Sequence, residues 1–381
     1  MKIVDVKLTP TVVLKLKRPI ADAFIWVPSF RAAAVQVFTD EDIIGISTVG
    51  TYGLEAIKAL IETELKHVII GEDPMDYERI WDKMYWYTLN HGRKGIAIEA
   101  LGCLDIAIWD IIGKALKMPV YKLLGGYTDT VKAYRTGIDL NLTVNELVKL
   151  HKKSVEEGFD AIKMKIGRRN IDEDVDRVRA VRDAVGYNVK LMVDANNALS
   201  VRTAIRLAKK LERYEVFWFE EPVIADNIDG LAEVAKNTEI PIALGENEYL
   251  KFGIKELIER KAIGVLIGTV SRMGGVTEWR KVASIAQAWD IPISPQGGDW
   301  VAAHVLASVP NGLFMETAAL ELEDGITKPK LAINKGCIKL PNTYGFGWEI
   351  DWEAVNRLSK IEWIRHETTP PGLPRPPHHL K

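Results

Sequence analysis

The chain reads as an α/β protein, a closed parallel (β/α) barrel with a smaller α+β capping domain. Three observations predict this. From Val131 onward short β-like runs alternate with longer amphipathic segments. There are eight such runs: VKAYRTGI, AIKMKI, KLMVDAN, FWFEEP, PIALGEN, VLIGTVSR, PISPQG and LFMETA. Eight βα units favour closure over an open sheet. Finally, the charged and polar residues of these runs gather at their C-terminal ends, where such barrels place their sites. The units differ in length and sequence, so a solenoid is excluded.

The elements follow in order. Residues 1 to about 50 alternate apolar and polar, as in AAAVQVFTDEDIIGIST, with a turn at Asp40-Glu41-Asp42. That is a small antiparallel sheet. From Leu54 to Leu116 the period becomes helical. Leu101, Leu104, Ile108, Ile111 and Ile112 fall on one stripe, and MPVYKLLGG closes the segment. Residues 1–125 therefore form the capping domain and residues 126–330 the barrel. Residues 331–381, including KGCIKLPNTYGFGWEIDWEAV, are expected to return to the cap. The proline-rich tail PPGLPRPPHHLK is expected to be extended.

Composition narrows the function. The chain has 381 residues, 50 basic and 52 acidic, for a net charge of -2. No basic excess points to nucleic acid or an anionic membrane. No apolar run approaches the ~20 residues of a membrane span. The N-terminus, broken by Lys7 and Pro10, reads as a strand and not a signal peptide. The two cysteines, Cys103 and Cys337, sit in apolar contexts and suggest no disulfide framework. A soluble cytoplasmic protein is expected.

The run AIKMKIG carries the first chemical signal. On a strand, Ala161, Lys163 and Lys165 share one face, and Ile162, Met164 and Ile166 share the other. Two lysines thus stand together at the end of the second run. The third run ends in Asp194 and Asn196, the fourth in Glu220 and Glu221, and the fifth in Glu246. Asp194, Glu220 and Glu246 are each 26 residues apart, about one βα unit. A single acid at a strand end often only caps the next helix. Three converging acids repel one another and raise each other's pKa, and a divalent ion relieves this. All-oxygen ligation without Cys or nearby His favours Mg²⁺ over Zn²⁺.

These segments, KMK, VDANNA, WFEEP, LGENE and GGVTE, with DIAIWDIIGKALKMPVYKLLGG before them, resemble the enolase superfamily. The likeness is to its mandelate racemase and sugar-acid dehydratase branch, and it spans nearly the whole chain. It implies a modified TIM barrel under an α+β cap, with Mg²⁺ on Asp194, Glu220 and Glu246. It implies that Lys165 removes the proton α to a substrate carboxylate and that Lys163 neutralises that carboxylate. Glu316 in FMETAAL would hydrogen-bond the carboxylate as a protonated acid. The base must be neutral to act, so the second lysine and the metal are expected to lower the Lys165 pKa.

The family's two-sided sites carry an Asp on strand six and a His on strand seven. Here Thr269 and Gln296 stand at those positions, and neither titrates near neutrality. His304 falls within the next helix and is expected to be a packing residue. Candidate substrate contacts are Asn196, Thr269, Arg272 and Gln296 at the strand ends. Trp26 and His91, the latter in YTLNHGRKGI, are the cap's candidates and would reach over the barrel mouth.

The expected activity is a Mg²⁺-dependent lyase on a hydroxylated sugar acid, a dehydratase giving a 2-keto-3-deoxy acid. The alternative is a cycloisomerase or epimerase of an anhydro-sugar acid or lactone. A rival of another class is a degenerate Mg²⁺-binding barrel without turnover. The partner is a small carboxylate, and the resemblance implies a homo-oligomer.

Overall fold

The computed structural model describes residues 1–50, 52–319 and 325–365. The proline-rich tail lies outside the described residues. The cap begins with β1 (Ile3–Leu8), β2 (Val12–Ala21), β3 (Trp26–Thr39) and β4 (Ile44–Gly50). All pairings are antiparallel, with β1, β2 and β4 on the long β3. The Asp40–Asp42 turn joins β3 to β4, as its polar sequence suggests.

Helices Leu54–Leu60, Tyr77–Thr88 and Ile96–Ala115 follow. The last differs from expectation. It is not striped but buried almost all round, because it lies between the cap sheet and the barrel. Small residues permit both approaches. A Cβ at Gly45 on β4 would stand 2.0 Å from the Ala107 carbonyl oxygen, and one at Gly102 would stand 2.2 Å from that of Ser271.

Asp105 on the same helix ties cap to barrel. Its carboxylate accepts the backbone N–H of Thr277 at 2.9 Å and the Thr277 hydroxyl at 2.6 Å. Burial pushes its pKa up to about 7. The unfolded chain ionises this group near 3.8, so between those values the unfolded state holds fewer protons and stability falls as pH rises. Urea unfolding at about pH 5 and 7.5 should show a drop of about 2–3 kcal/mol that Asp105→Asn removes. The same slope in both proteins would assign the titration elsewhere.

The barrel strands are β5 (Thr130–Thr136), β6 (Ala161–Lys165), β7 (Lys190–Asp194), β8 (Val216–Glu220), β9 (Ile242–Leu244), β10 (Val265–Thr269), β11 (Ile293–Gln296) and β12 (Met315–Ala318). All eight runs read from the sequence are strands. Each successive pair from β5 to β11 is parallel, and β12 pairs parallel with β5. Between β11 and β12 the ladder shrinks to a bridge from Ile293 to Gly312, and the Ser294 hydroxyl donates to the Phe314 carbonyl at 2.5 Å. The barrel is nearly closed. Tyr134, Ala161, Met192, Trp218, Val265, Ile267 and Phe314 fill its interior, so the lysines that share Ala161's face also point inward. Ile162 and Met164 pack outward into the main core.

The C-terminal segment divides its contacts. β13 (Thr327–Lys328) pairs with β15 (Glu349–Ile350), whereas β14 (Cys337–Lys339) pairs with β5 of the barrel. Ile350, Val355 and Leu358 then join Val12, Ala34 and Ile46 in a cluster on the cap sheet. Both cysteines are free thiols. Among the described residues no helix is long and apolar enough to cross a membrane.

Candidate active site

The strand register brings the charged residues together. Lys165 pairs with Asp194, Asp194 with Glu220, and Thr269 with Gln296 across neighbouring strands. Lys163, Lys165, Asp194, Glu220 and Glu316 are all buried. Lys165 Nζ lies 2.5 Å from Asp194 Oδ2. Lys163 Nζ lies 2.9 and 3.0 Å from the Glu220 carboxylate oxygens, 3.1 Å from Glu316 and 3.5 Å from Asp194. Trp218 Nε1 also donates to Glu220 at 3.0 Å.

Glu246 is held differently. Gln296 Nε2 donates to its carboxylate at 2.9 Å, and the Thr269 hydroxyl donates to Gln296 Oε1. The positions expected to hold a titrating dyad thus carry a neutral hydrogen-bonded pair. Arg272 bridges from the Glu246 carbonyl at 3.0 Å to Glu99 on the cap helix at 2.9 Å.

Among the chain's own groups the electrostatics differ from two expectations. Burial is the largest effect on Lys165 and lowers its pKa, and Lys163 lowers it as expected, but Asp194, Asp22 and Glu246 together outweigh them and the ammonium is favoured. The spacing of residues did not reveal how closely these carboxylates surround it. Burial likewise acts to raise Glu316, but Lys163 and then Lys165 hold it below the usual carboxylate range. Among the chain's own groups Glu316 is thus favoured as a carboxylate partner of Lys163. Glu220 goes the other way, pushed up to about 8 by burial and by Asp194, Glu316 and Glu246 against the pull of Lys163.

Among the described residues no group of three or more His, Cys, Asp and Glu side chains lies close enough together to hold a metal ion. The three acids face lysine, tryptophan and glutamine donors instead. Their chemistry nevertheless fits a hard divalent cation. The donors are all carboxylate oxygens from adjacent strands. Acids outnumber cations at the strand ends, and both Glu220 and Glu246 are raised by burial and by neighbouring carboxylates. That surplus is what a divalent ion would offset.

Asn196 is buried at φ 42, its backbone N–H donating to Asp194 at 2.9 Å. Its side-chain Oδ1 is buried without a hydrogen-bond partner among the described residues. Trp26 opens β3 opposite Ala21, which bridges to Asp139 beside the barrel mouth. His91 is not brought to the strand ends. It is exposed, and its Nε2 lies 3.3 Å from Glu64 of the cap. Its loop reaches the barrel through Lys94, which pairs with Glu248. His304 is buried, accepting the Tyr121 backbone N–H at 3.1 Å, with burial pushing its pKa down to about 3. That is a packing residue.

Glu221, read from the sequence as a strand-end acid without a role, is buried at φ 42 and accepts from Asn197 and Asn247, both at 2.6 Å. Sequence reasoning missed several other residues. Asp22 and Tyr52 of the cap interact electrostatically with Lys165. Asp139, just past the end of β5, accepts the Lys165 backbone N–H. Its place directly after the first run is visible in the sequence, but its contact to Lys165 is not.

Residues 146–355 match the family described as enolase C-terminal domain-like, and residues 4–125 match the N-terminal domain of the mandelate racemase and muconate lactonizing enzymes. The chain is 35% identical over 332 residues to 3,6-anhydro-alpha-L-galactonate cycloisomerase of Streptomyces coelicolor, covering 87% of this chain and 92% of that one. It is 35% identical over 327 residues to arabinonate dehydratase of Saccharolobus solfataricus, covering 83% and 87%. A solved racemase from Streptomyces coelicolor A3(2) with bound magnesium superposes with a TM-score of 0.88 at 32% identity, over 93% of this chain and 99% of that one. The chain therefore belongs to the enolase superfamily of enzymes, in its mandelate racemase branch.

Proposed function

We propose that the strand-end cluster is the active site of a Mg²⁺-dependent enzyme that removes the proton α to the carboxylate of a hydroxylated sugar acid and expels a β leaving group. One observation carries this reading. Two buried lysines on β6 stand against carboxylates from β7 and β8, while the ends of β10 and β11 carry the neutral Thr269–Gln296 pair. Asp194, Glu220 and Glu246 would hold Mg²⁺, which when bound would stabilise the charge that grows on the substrate carboxylate.

The chain's own groups do the rest. Lys165 takes the α proton as its amine, the form that a divalent ion on Asp194 would favour by offsetting the carboxylate that otherwise holds the ammonium. Lys163 offsets negative charge at the strand ends, with Glu316 fixing its position. The unpaired Oδ1 of Asn196 accepts a substrate hydroxyl. The bond from the β carbon to its oxygen then breaks. The lysinium formed at Lys165 is a proton donor on the same face, which favours departure on that face. Loss of hydroxide gives a 2-keto-3-deoxy acid, and dehydration is the first reading.

A second reading has its own support. A cycloisomerase relative aligns over 87% of the chain, and a ring oxygen that leaves stays tethered and can be protonated late. Such a reaction needs no dedicated acid, consistent with Thr269 and Gln296. An epimerase needs a second base and is disfavoured.

The test is a panel of aldonates, aldarates and 3,6-anhydrogalactonates with Mg²⁺, followed for 2-keto products and for α-proton exchange by NMR. A 2-keto acid from an open-chain aldonate supports dehydration, and one from an anhydro acid supports ring opening. Neither product nor exchange from any acid would leave the degenerate barrel as the reading.

The missing dyad gives a separate prediction. Thr269→Asp with Gln296→His should place a second base opposite Lys165, because the two positions already pair in register. Deuterium should then enter the α carbon in both configurations. Entry with retention alone, in a variant that still binds Mg²⁺, would show that the pair does not face the α carbon.

A further inference from the structure

The loop after β5 and the helix Val144–Glu156 that follows it bring together a buried polar pair outside the strand-end cluster. Asp139 and His151 are both fully buried, and Asp139 Oδ2 lies 3.0 Å from His151 Nε2. The other oxygen, Oδ1, accepts the backbone N–H of Lys165 at 2.8 Å.

The ladder explains the need for that acceptor. β5 pairs with β6 only at Arg135–Ile162 and Thr136–Lys163. Gly137 adds one bond, its N–H donating to the Lys163 carbonyl at 3.1 Å. Beyond it the chain turns away, so the next N–H on that edge of β6, from Lys165, meets no strand carbonyl. The Asp139 carboxylate takes the place of that carbonyl. Without it a buried N–H would be orphaned.

The turn that delivers Asp139 is strained. Ile138 sits at φ 44, a left-handed conformation that β-branched residues rarely adopt. The cap holds it there. The Ile138 carbonyl accepts the Ala21 N–H at 3.3 Å, and its side chain packs on Ile20, Ile25 and Val27. Leu140 N–H donates back to the Ala21 carbonyl at 3.0 Å. From the barrel side Arg177 donates to the carbonyls of Asp139 at 3.0 Å and Leu142 at 2.6 Å. One carboxylate thus stands between the cap loop, residues 21–25, and the backbone of Lys165.

His151 serves that carboxylate. With its proton on Nε2 it gives Oδ2 a donor, and Nδ1 is left buried without a partner among the described residues. An apolar side chain would leave Oδ2 itself unpaired, which is costlier for a charged acceptor.

We propose that Asp139, oriented by His151, is a positioning residue for Lys165. It fixes the end of β6 and couples it to the seating of the cap loop. Asp139 does not reach substrate. The proposal rests on the reading of Lys165 as the base, and its test has a readout that does not.

The variants are Asp139→Asn, His151→Leu and His151→Gln. Asn can keep the Lys165 contact only by giving its amide N–H to His151 Nε2, which moves the ring proton to Nδ1 as a buried donor without a partner among the described residues. Leu removes the ring donor, and Gln restores a donor near the Nε2 position. Amide hydrogen exchange at Lys165 and in residues 20–25 should accelerate at least about tenfold in Asp139→Asn and His151→Leu. The rest of β6 should keep its protection. On the acid that the wild type turns over, kcat should fall about 10²-fold, with KM and Mg²⁺ affinity within about threefold. His151→Gln should recover most of both.

An unchanged Lys165 amide in Asp139→Asn overturns the proposal. So does a loss of turnover that only follows the loss of folded protein. If Asp139→Asn does not fold, the His151→Leu and His151→Gln pair decides by the same exchange measurement. If the wild type turns over no acid, the base reading fails, and the exchange measurement still decides the positioning role.

Discussion

Lys165→Met should stop α-proton exchange and lower turnover by about 10²–10⁴-fold or more, the contribution expected of a positioned base. Met keeps much of the length of lysine and carries no proton. The change should not unfold the barrel mouth, because Asp194 keeps the Asn196 N–H at 2.9 Å and Lys163 at 3.5 Å. In the wild type, deuterium from D₂O should enter recovered substrate or a non-eliminating analogue with retained configuration. Thr269 and Gln296 face the site from the other side and are engaged with each other and with Glu246. Exchange that persists in Lys165→Met, or free inversion by the wild type, would reveal another base. His91 is a poor candidate, since it is exposed beside Glu64. Asp22 and Tyr52, the cap groups that interact with Lys165, would be the ones to change next.

The strands and the charged strand ends were legible because both follow local rules. Alternation set the inward face of β6, and the 26-residue spacing of Asp194, Glu220 and Glu246 followed from the length of one βα unit. The docking of the cap was not legible. Which residue of YTLNHGRKGI reaches the barrel depends on a tertiary contact, and it is Lys94 to Glu248 that forms, not a contact of His91. The balance of charge around Lys165 was also hidden, because burial and Lys163 work against Asp194, Asp22 and Glu246, which three different segments bring to it. Asp139 escaped notice for a third reason. Its loop depends on Ile138 at φ 44, a conformation that propensity argues against and that only packing from the cap enforces.

Glu220→Gln should weaken Mg²⁺ binding by at least about 10²-fold, measured by calorimetry, and should abolish turnover. Even residues that only support metal ligands change affinity about 10–100-fold, so loss of a ligand charge should cost no less. Fold and stability should survive. Gln matches Glu in shape, and its carbonyl oxygen can still accept from Trp218 Nε1, now at 3.0 Å. Lys163 keeps Glu316 at 3.1 Å and Asp194 at 3.5 Å, so its ammonium is not left alone in the barrel. Burial and neighbouring acids already push Glu220 up to about 8, so its ionisation is disfavoured in the folded chain, a cost that the Gln variant does not carry. Asp105→Asn, at the junction of cap and barrel, is the control and should bind Mg²⁺ as the wild type does. If Glu220→Gln binds Mg²⁺ normally, or turns over in the presence of chelator, the strand-end acids are not the metal site.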